Sequence, residues 1–204
     1  MWPISIRGAA VLLLPLLTAC ATGGLRDPSG DATVDAGASR DYAAALVLLE
    51  AGEDDRAATM LGEIAADQPG LAGPFANLAL IEARRNRLDE AARLLAEAVK
   101  VCTNCAPVWN ELGVVERRRG QFAAAEAAYR QALAADATFA DARINLAVLY
   151  ELYLQRPELA LEQYVAVRAS DSESPLAADV DKRIADLQRR AKPVERSAQL
   201  EAAL

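Results

Sequence analysis

The chain has 204 residues, enough for one or two domains, and a formal charge of −7, which argues against a nucleic-acid binder, since such proteins need a basic face to displace phosphate counterions. Hydrophobic residues make up 53% of it but aromatics only 5%, and alanine and leucine interspersed with Glu and Arg favour helix over strand. It contains no histidine, so both the commonest general base and the commonest metal ligand are missing.

Residues 1–19 read as an export signal. Arg7 and the amino terminus precede the apolar run Ala9 to Leu17, which is too short to span a bilayer. Leu17-Thr18-Ala19-Cys20 follows: an aliphatic residue, two small residues and a cysteine. This resembles the bacterial lipoprotein signal. The resemblance implies cleavage before Cys20, a diacylglycerol on its thiol and an acyl group on its new amino terminus. Ala21 in place of an aspartate implies sorting to the outer membrane, with the chain on the periplasmic face. Several acyl chains matter because a single one holds a protein weakly. Residues 20–37 are small, polar and glycine-rich, and read as a flexible tether.

From residue 38 onward a 34-residue period organises the chain. Ala45, Ala79, Gly113 and Ala147 are spaced 34 apart, as are Ala57, Ala91 and Ala125, then Leu61, Leu95 and Tyr129, then Ile64, Ala98 and Ala132. In the fourth copy the last three slots fall one residue late, at Ala160, Tyr164 and Val167. An insertion in the loop around Gln155-Arg156-Pro157 would explain the delay. The register resembles the tetratricopeptide repeat, with Trp109, Leu112, Gly113, Ala125, Tyr129 and Ala132 carrying the signature in the third copy and Phe75, Leu78, Ala79, Ala91, Leu95 and Ala98 in the second. Pro69 sits where the family terminates its second helix. Glu82 and Glu116 depart from it where an aromatic is usual, and Asp41 and Arg143 where tryptophan is usual. The copies run 38–71, 72–105, 106–139 and 140–174.

The resemblance implies an all-α, right-handed α-solenoid of four helix hairpins. A hairpin cannot bury its apolar face alone, so the end of the stack needs a cap. Residues 175–190 supply one. Ser174 and Pro175 suit a helix start, and Leu176, Val180, Ile184 and Leu187 form a stripe opposite Asp179, Lys182, Arg183, Asp186 and Arg190. Residues 191–204 form a tail interrupted by Pro193. Nine helices and almost no strand are expected.

Cys102 and Cys105 lie in the turn between the second and third copies. A disulfide closing a tight loop is expected in an oxidising compartment, with free thiols or a redox pair as alternatives. No histidine follows Cys105 for haem attachment, and further zinc ligands are missing. In this family the first helices line the concave surface. The candidate protein-binding groove is therefore Tyr42, Asn77, Arg84, Asn110, Arg117 and Asn145, residues projected away from the packing leucines, as is Glu111. Amides can grip a peptide backbone and guanidinium groups favour carboxylates, so an acidic or C-terminal segment of an envelope protein is the expected ligand. A solvated polar helix face is the alternative. No catalytic constellation, metal site, cofactor site or small-molecule site is legible. The expected role is a membrane-anchored interaction scaffold that assists assembly of an envelope complex, as pilotins or outer-membrane machinery do, or else a regulator of a peptidoglycan synthase or hydrolase.

Overall fold

The structure, a computed structural model, describes residues 36–170 and 177–191. The signal and Cys20, nearly all of the tether, the tail, and Ser174, Pro175 and Leu176 of the cap's start lie outside the described residues. Within them the chain is a stack of helical hairpins with no strand: α1 (Ala36–Glu50) with α2 (Asp54–Asp67), α3 (Ala72–Arg84) with α4 (Leu88–Val101), α5 (Ala106–Arg118) with α6 (Phe122–Ala135), and α7 (Ala140–Val148) with α8 (Pro157–Ser170), followed by α9 (Ala177–Ala191).

Each hairpin turns the same way. A residue at positive φ ends the first helix, Gly52 (76°), Asn86 (60°) and Gly120 (77°), in the left-handed region that glycine and asparagine enter most readily. The next amide then bonds five residues back, Glu53 N to Leu48 O, Arg87 N to Glu82 O and Gln121 N to Glu116 O, each at 2.9 Å.

The fourth copy is where the period slips, and the inserted residue is not in the loop. α7 runs on into a π-helical turn, Leu149–Tyr153, in which Leu154 N bonds Leu149 O at 3.0 Å. Its closing bond, Arg156 N to Tyr150 O at 2.8 Å, spans one residue more than in the other copies, and the positive φ falls late, at Gln155 (53°). The widened turn absorbs the extra residue while Ala147 keeps its register. It also re-aims the side chains it carries. Leu149 and Tyr150 stay buried, whereas Leu152 and Tyr153 are exposed.

Inside every hairpin two small residues face each other. Ala45, Ala57, Ala79, Ala91, Ala125, Ala147 and Ala160 are all at most 1% exposed, and Gly113 is buried. Leu61, Leu95, Tyr129 and Tyr164 fill the space beside them, likewise at most 1% exposed. Glu82 and Glu116, where the resemblance leads one to expect an aromatic, are held by ion pairs. Glu82 meets Arg85 and Arg87, Arg85 crosses to Asp55 of the preceding hairpin, and one repeat later Glu116 meets Arg119 at 2.9 Å, which crosses to Asp89 at 2.8 Å. In the fourth copy Tyr150 restores the aromatic and donates to Glu126 at 3.0 Å.

The cap covers the last hairpin with Val180 and Leu187, both buried, and the partly buried Ile184. Arg183, expected on its solvent face, instead reaches back to Glu151 of the π turn at 2.8 Å. The Glu151 side chain is only 7% exposed and also accepts the Tyr164 hydroxyl at 3.0 Å. A carboxylate so far from water needs these partners. A second tie, Arg168 to Asp181 at 2.7 Å, joins α8 to α9.

Tightness at the small-residue contact makes a measurable claim. A Cβ added at Gly113 would lie 2.5 Å from two ring atoms of Tyr129, which has no room to retreat. Gly113→Ala is expected to lower the free energy of unfolding by about 1–3 kcal/mol. Adding Tyr129→Leu, the pairing that the second copy uses at Ala79 and Leu95, should recover part of it. Urea unfolding of the two variants checks this; equal loss in both would contradict the contact.

Candidate protein-binding face

The first helices stand side by side, and polar rungs join them. Tyr42, Ala76 and Asn110 occupy one slot at 34-residue intervals, and Asn77, Glu111 and Asn145 occupy the facing slot. Between α1 and α3 the Asn77 amide donates to Tyr42 Oη at 2.7 Å and to Gly73 O at 3.1 Å. Gly73 is required here, because a Cβ would sit 2.4 Å from that hydroxyl. Between α5 and α7 the Asn145 amide donates to Asn110 Oδ1 at 2.9 Å.

These rungs correct part of the expected groove. Tyr42, Asn77 and Asn110 are 7%, 0% and 2% exposed, so they bond across the stack instead of presenting their amides and hydroxyl to a ligand. Arg84 is half-occupied, paired with Asp54 at 3.0 Å. Asn145 is partly exposed but spends an N–H on Asn110. Arg117 is held by hydroxyls instead of a carboxylate: its guanidinium donates to Tyr129 Oη at 3.3 Å and Tyr153 Oη at 3.4 Å and lies 5.6 Å from the Tyr153 ring centre. That ring in turn packs on Phe122 at 5.0 Å. Arg118 bonds the carbonyl of Ala83 at 3.0 Å, satisfying the last turn of α3 as expected for a cation at a helix C-terminus.

The middle rung is different. Ala76 offers no hydrogen bond to Glu111, which lines a small crevice together with Ala76, Ala79, Leu80, Ala83, Leu95 and Val115. Its hydrogen bond among the described residues is a long one, 3.5 Å, from Asn110 Nδ2. Burial, reinforced by the nearby Asp141 and opposed by the Asn110 bond, pushes the Glu111 carboxyl up to about 7. Sequence reasoning placed Glu111 off the packing face but did not single it out. The signal was there in the period, since slots 42 and 110 are polar and slot 76 is alanine.

At the edge of the same face, Cys102 and Cys105 are joined by a disulfide, with Cα atoms 5.4 Å apart. Trp109 closes over the turn and donates its indole N–H to Thr103 O at 2.8 Å. Among the described residues no group of three or more histidine, cysteine or acidic side chains could hold a metal ion, and no helix is long and apolar enough to cross a membrane. Cys20 lies outside the described residues.

The proton on Glu111 has a direct consequence for stability. The folded chain holds it more tightly than the ordinary carboxyl value of 4.5 allows. The stability that this group contributes is therefore greatest below that value and falls as pH rises towards 7. Glu111→Gln removes this dependence, so the variant should gain on the wild type by on the order of 1 kcal/mol at pH 8, allowing for partial exposure, and by little at pH 4. Urea midpoints at the two pH values test it; the same difference at both would refute it.

No family model matches the sequence, and no curated protein matches it significantly. Solved structures do. The chain is similar to PilF of Pseudomonas aeruginosa, at 19% identity and TM-score 0.69 over 81% of this chain and 73% of that one. It is also similar to YrrB, a tetratricopeptide protein with an unusual peptide-binding site, at 17% and 0.62 over 74% and 76%. A third similarity, to the thermophilic tetratricopeptide protein TTC0263 of Thermus thermophilus, stands at 24% and 0.61 over 86% and 88%. At these identities the likeness is one of fold: the described chain is an all-α solenoid of tetratricopeptide-like hairpins.

Proposed function

We propose that this protein is a protein–protein interaction scaffold, tethered to the periplasmic face of the outer membrane through acyl chains on Cys20 and accessory to assembly of an envelope complex. The observation that carries the binding role is the side-by-side alignment of first helices, with rungs between α1 and α3 and between α5 and α7. A face already ordered before binding loses less freedom on binding, which favours affinity. YrrB's peptide-binding site lends the reading support from a similar fold. The membrane placement rests on Leu17-Thr18-Ala19-Cys20 at the end of the apolar run.

The arginines narrow the ligand. Arg117 has no carboxylate partner among the described residues, and its planar fork suits one. An acidic or C-terminal segment laid along the face would meet it beside the exposed Tyr153 ring.

The test is crosslinking in the native host followed by co-purification with the full chain, wild type and Cys20→Ser. The expected result is a reproducible envelope partner for the wild type, and a Cys20→Ser protein that leaves the outer-membrane fraction and stays unprocessed or soluble. Retention of Cys20→Ser in that fraction at normal mature size would overturn the anchor. Absence of any specific crosslinked partner would overturn the scaffold.

A further inference from the structure

Three connections join successive hairpins, and all fold the same backbone turn. Leu71 N bonds Gln68 O at 3.1 Å, Cys105 N bonds Cys102 O at 3.4 Å, and Phe139 N bonds Asp136 O at 3.1 Å, each pair 34 residues from the next. The first and third make the turn with no covalent bond. In them the last slot carries a large apolar side chain that packs across the junction, Leu71 against the core of α1, α2 and α3, and Phe139 among residues of α5, α6 and α7. The same two junctions have a polar rung between their first helices, Asn77 to Tyr42 and Asn145 to Asn110.

The middle junction lacks both ties. Cys105 takes the slot of the large side chain and Ala76 that of the polar one, and a crevice of about 20 Å³ remains beside Ala76 between α3 and α5. The far end of α5 is well held, by Arg118 to Ala83 O at 3.0 Å and Arg119 to Asp89 at 2.8 Å. At the near end the disulfide joins the end of α4 to the start of α5, while the Trp109 hydrogen bond to Thr103 stays within the turn. The disulfide closes a loop with a sequence separation of 3, too short to stabilise the whole chain much through entropy, so its effect is local. One end of α5 is pinned by arginines and the other by a bond that a reductant can cut.

We propose that the Cys102–Cys105 disulfide is a site of thiol–disulfide exchange, and that its reduction by a dithiol frees the joint between the second and third hairpins and interrupts the binding face there. The inference rests on the scaffold reading and adds to it a redox control of the surface the partner meets. Cys102 is partly exposed and Cys105 buried, so the attacking thiolate meets Cys102 Sγ. As that sulfur–sulfur bond forms, the Cys102–Cys105 bond breaks and its electron pair leaves on Cys105 Sγ. Cys105 is the N-cap of α5, where the helix dipole favours a thiolate and so a good leaving group. The second thiol of the reductant then attacks its own sulfur in the mixed disulfide and displaces Cys102. Both cysteines end protonated as thiols, and the reductant departs as a disulfide. With its near end released, α5 turns about its arginine end, and α3 and α5 no longer hold one alignment.

The test uses the full chain in detergent micelles, dithiothreitol as the dithiol, and amide hydrogen exchange read by mass spectrometry. Reduction is expected to speed exchange about ten-fold or more in the last turn of α4 and the first turn of α5, with α1, α2 and α8 unchanged and helicity retained. Cys102→Ser with Cys105→Ser should reproduce the reduced pattern. Cys102→Gln with Cys105→Leu, which installs the first junction's pair, should exchange slowly at the joint with or without dithiothreitol. Unchanged exchange on reduction would make the disulfide a passive staple, and faster exchange over the whole chain would make it a general support of the fold; each overturns the proposal. So does a second variant that exchanges as fast as the double serine one, since the apolar tie would then count for nothing. Crosslinking in the native host separates this from the broader reading. The double serine variant should capture several-fold less of the envelope partner than the wild type. Equal capture leaves the scaffold standing and removes the redox control. If the wild type captures none while the exchange pattern is as expected, the scaffold reading is the one lost and the exchange site stands.

Discussion

The stack depends on how closely two helix backbones approach inside each hairpin. Alanine or glycine at the paired slots lets the axes come together, and the neighbouring leucine or tyrosine is then gripped from both sides. Interiors packed to this density do not yield gradually, because a displaced side chain meets another within a few tenths of an ångström. The orientation of every second helix, and with it the alignment of the first helices into one face, follows from that contact. So do the cross-hairpin ion pairs, which can form only if successive hairpins repeat the same rotation.

Electrostatics is layered on that frame. Arg85 and Arg119, each just past the end of a first helix, hold a glutamate of that helix and an aspartate of the hairpin before. Exposed ion pairs of this kind add little individually. Their value lies in the glutamates, whose side chains are 12% exposed and would be costly without the guanidinium beside them. The slot makes a charged contact at two junctions, through Glu82 and Glu116, and an aromatic one, through Tyr150, at the third. Each choice is consistent with its own surroundings.

Much of the fold was legible because the period is a property of spacing, and spacing survives in the sequence. The hairpins and the cap stripe at Val180, Ile184 and Leu187 lie where the register places them. The groove was less legible. Asn77 and Asn110 read as outward-facing because the residue that follows each, or nearly so, packs inward, yet both are bonded across the stack. Periodicity says which face a side chain leaves from, and it says nothing about whether the next repeat reaches over to meet it. Tyr42 lies 35 residues from Asn77 in sequence, and only the three-dimensional stagger of successive hairpins brings them together. The inserted residue was detectable from the late slots, but its location was not: a loop and a π turn shift everything downstream by the same single residue. Arg183 was misplaced for a related reason, since its partner Glu151 is aimed by that turn.

The π turn also sets how far the architecture can be treated as interchangeable parts. The first three hairpins share one phase, so any of them meets the next through the same slots of the repeat. The fourth is out of phase from Leu149 onward, and the surface it shows to α9 is not repeated among the described residues. Glu151 and Tyr164 form a lock cut for Arg183, and neither Glu82 nor Glu116 could receive that key. Growth by duplication is therefore open in the middle of the stack and closed at its end. A copy inserted between the first and third hairpins inherits compatible neighbours, whereas one added after the fourth would strand the cap. The chain's length has a punctuation mark, written as one extra residue in a helix.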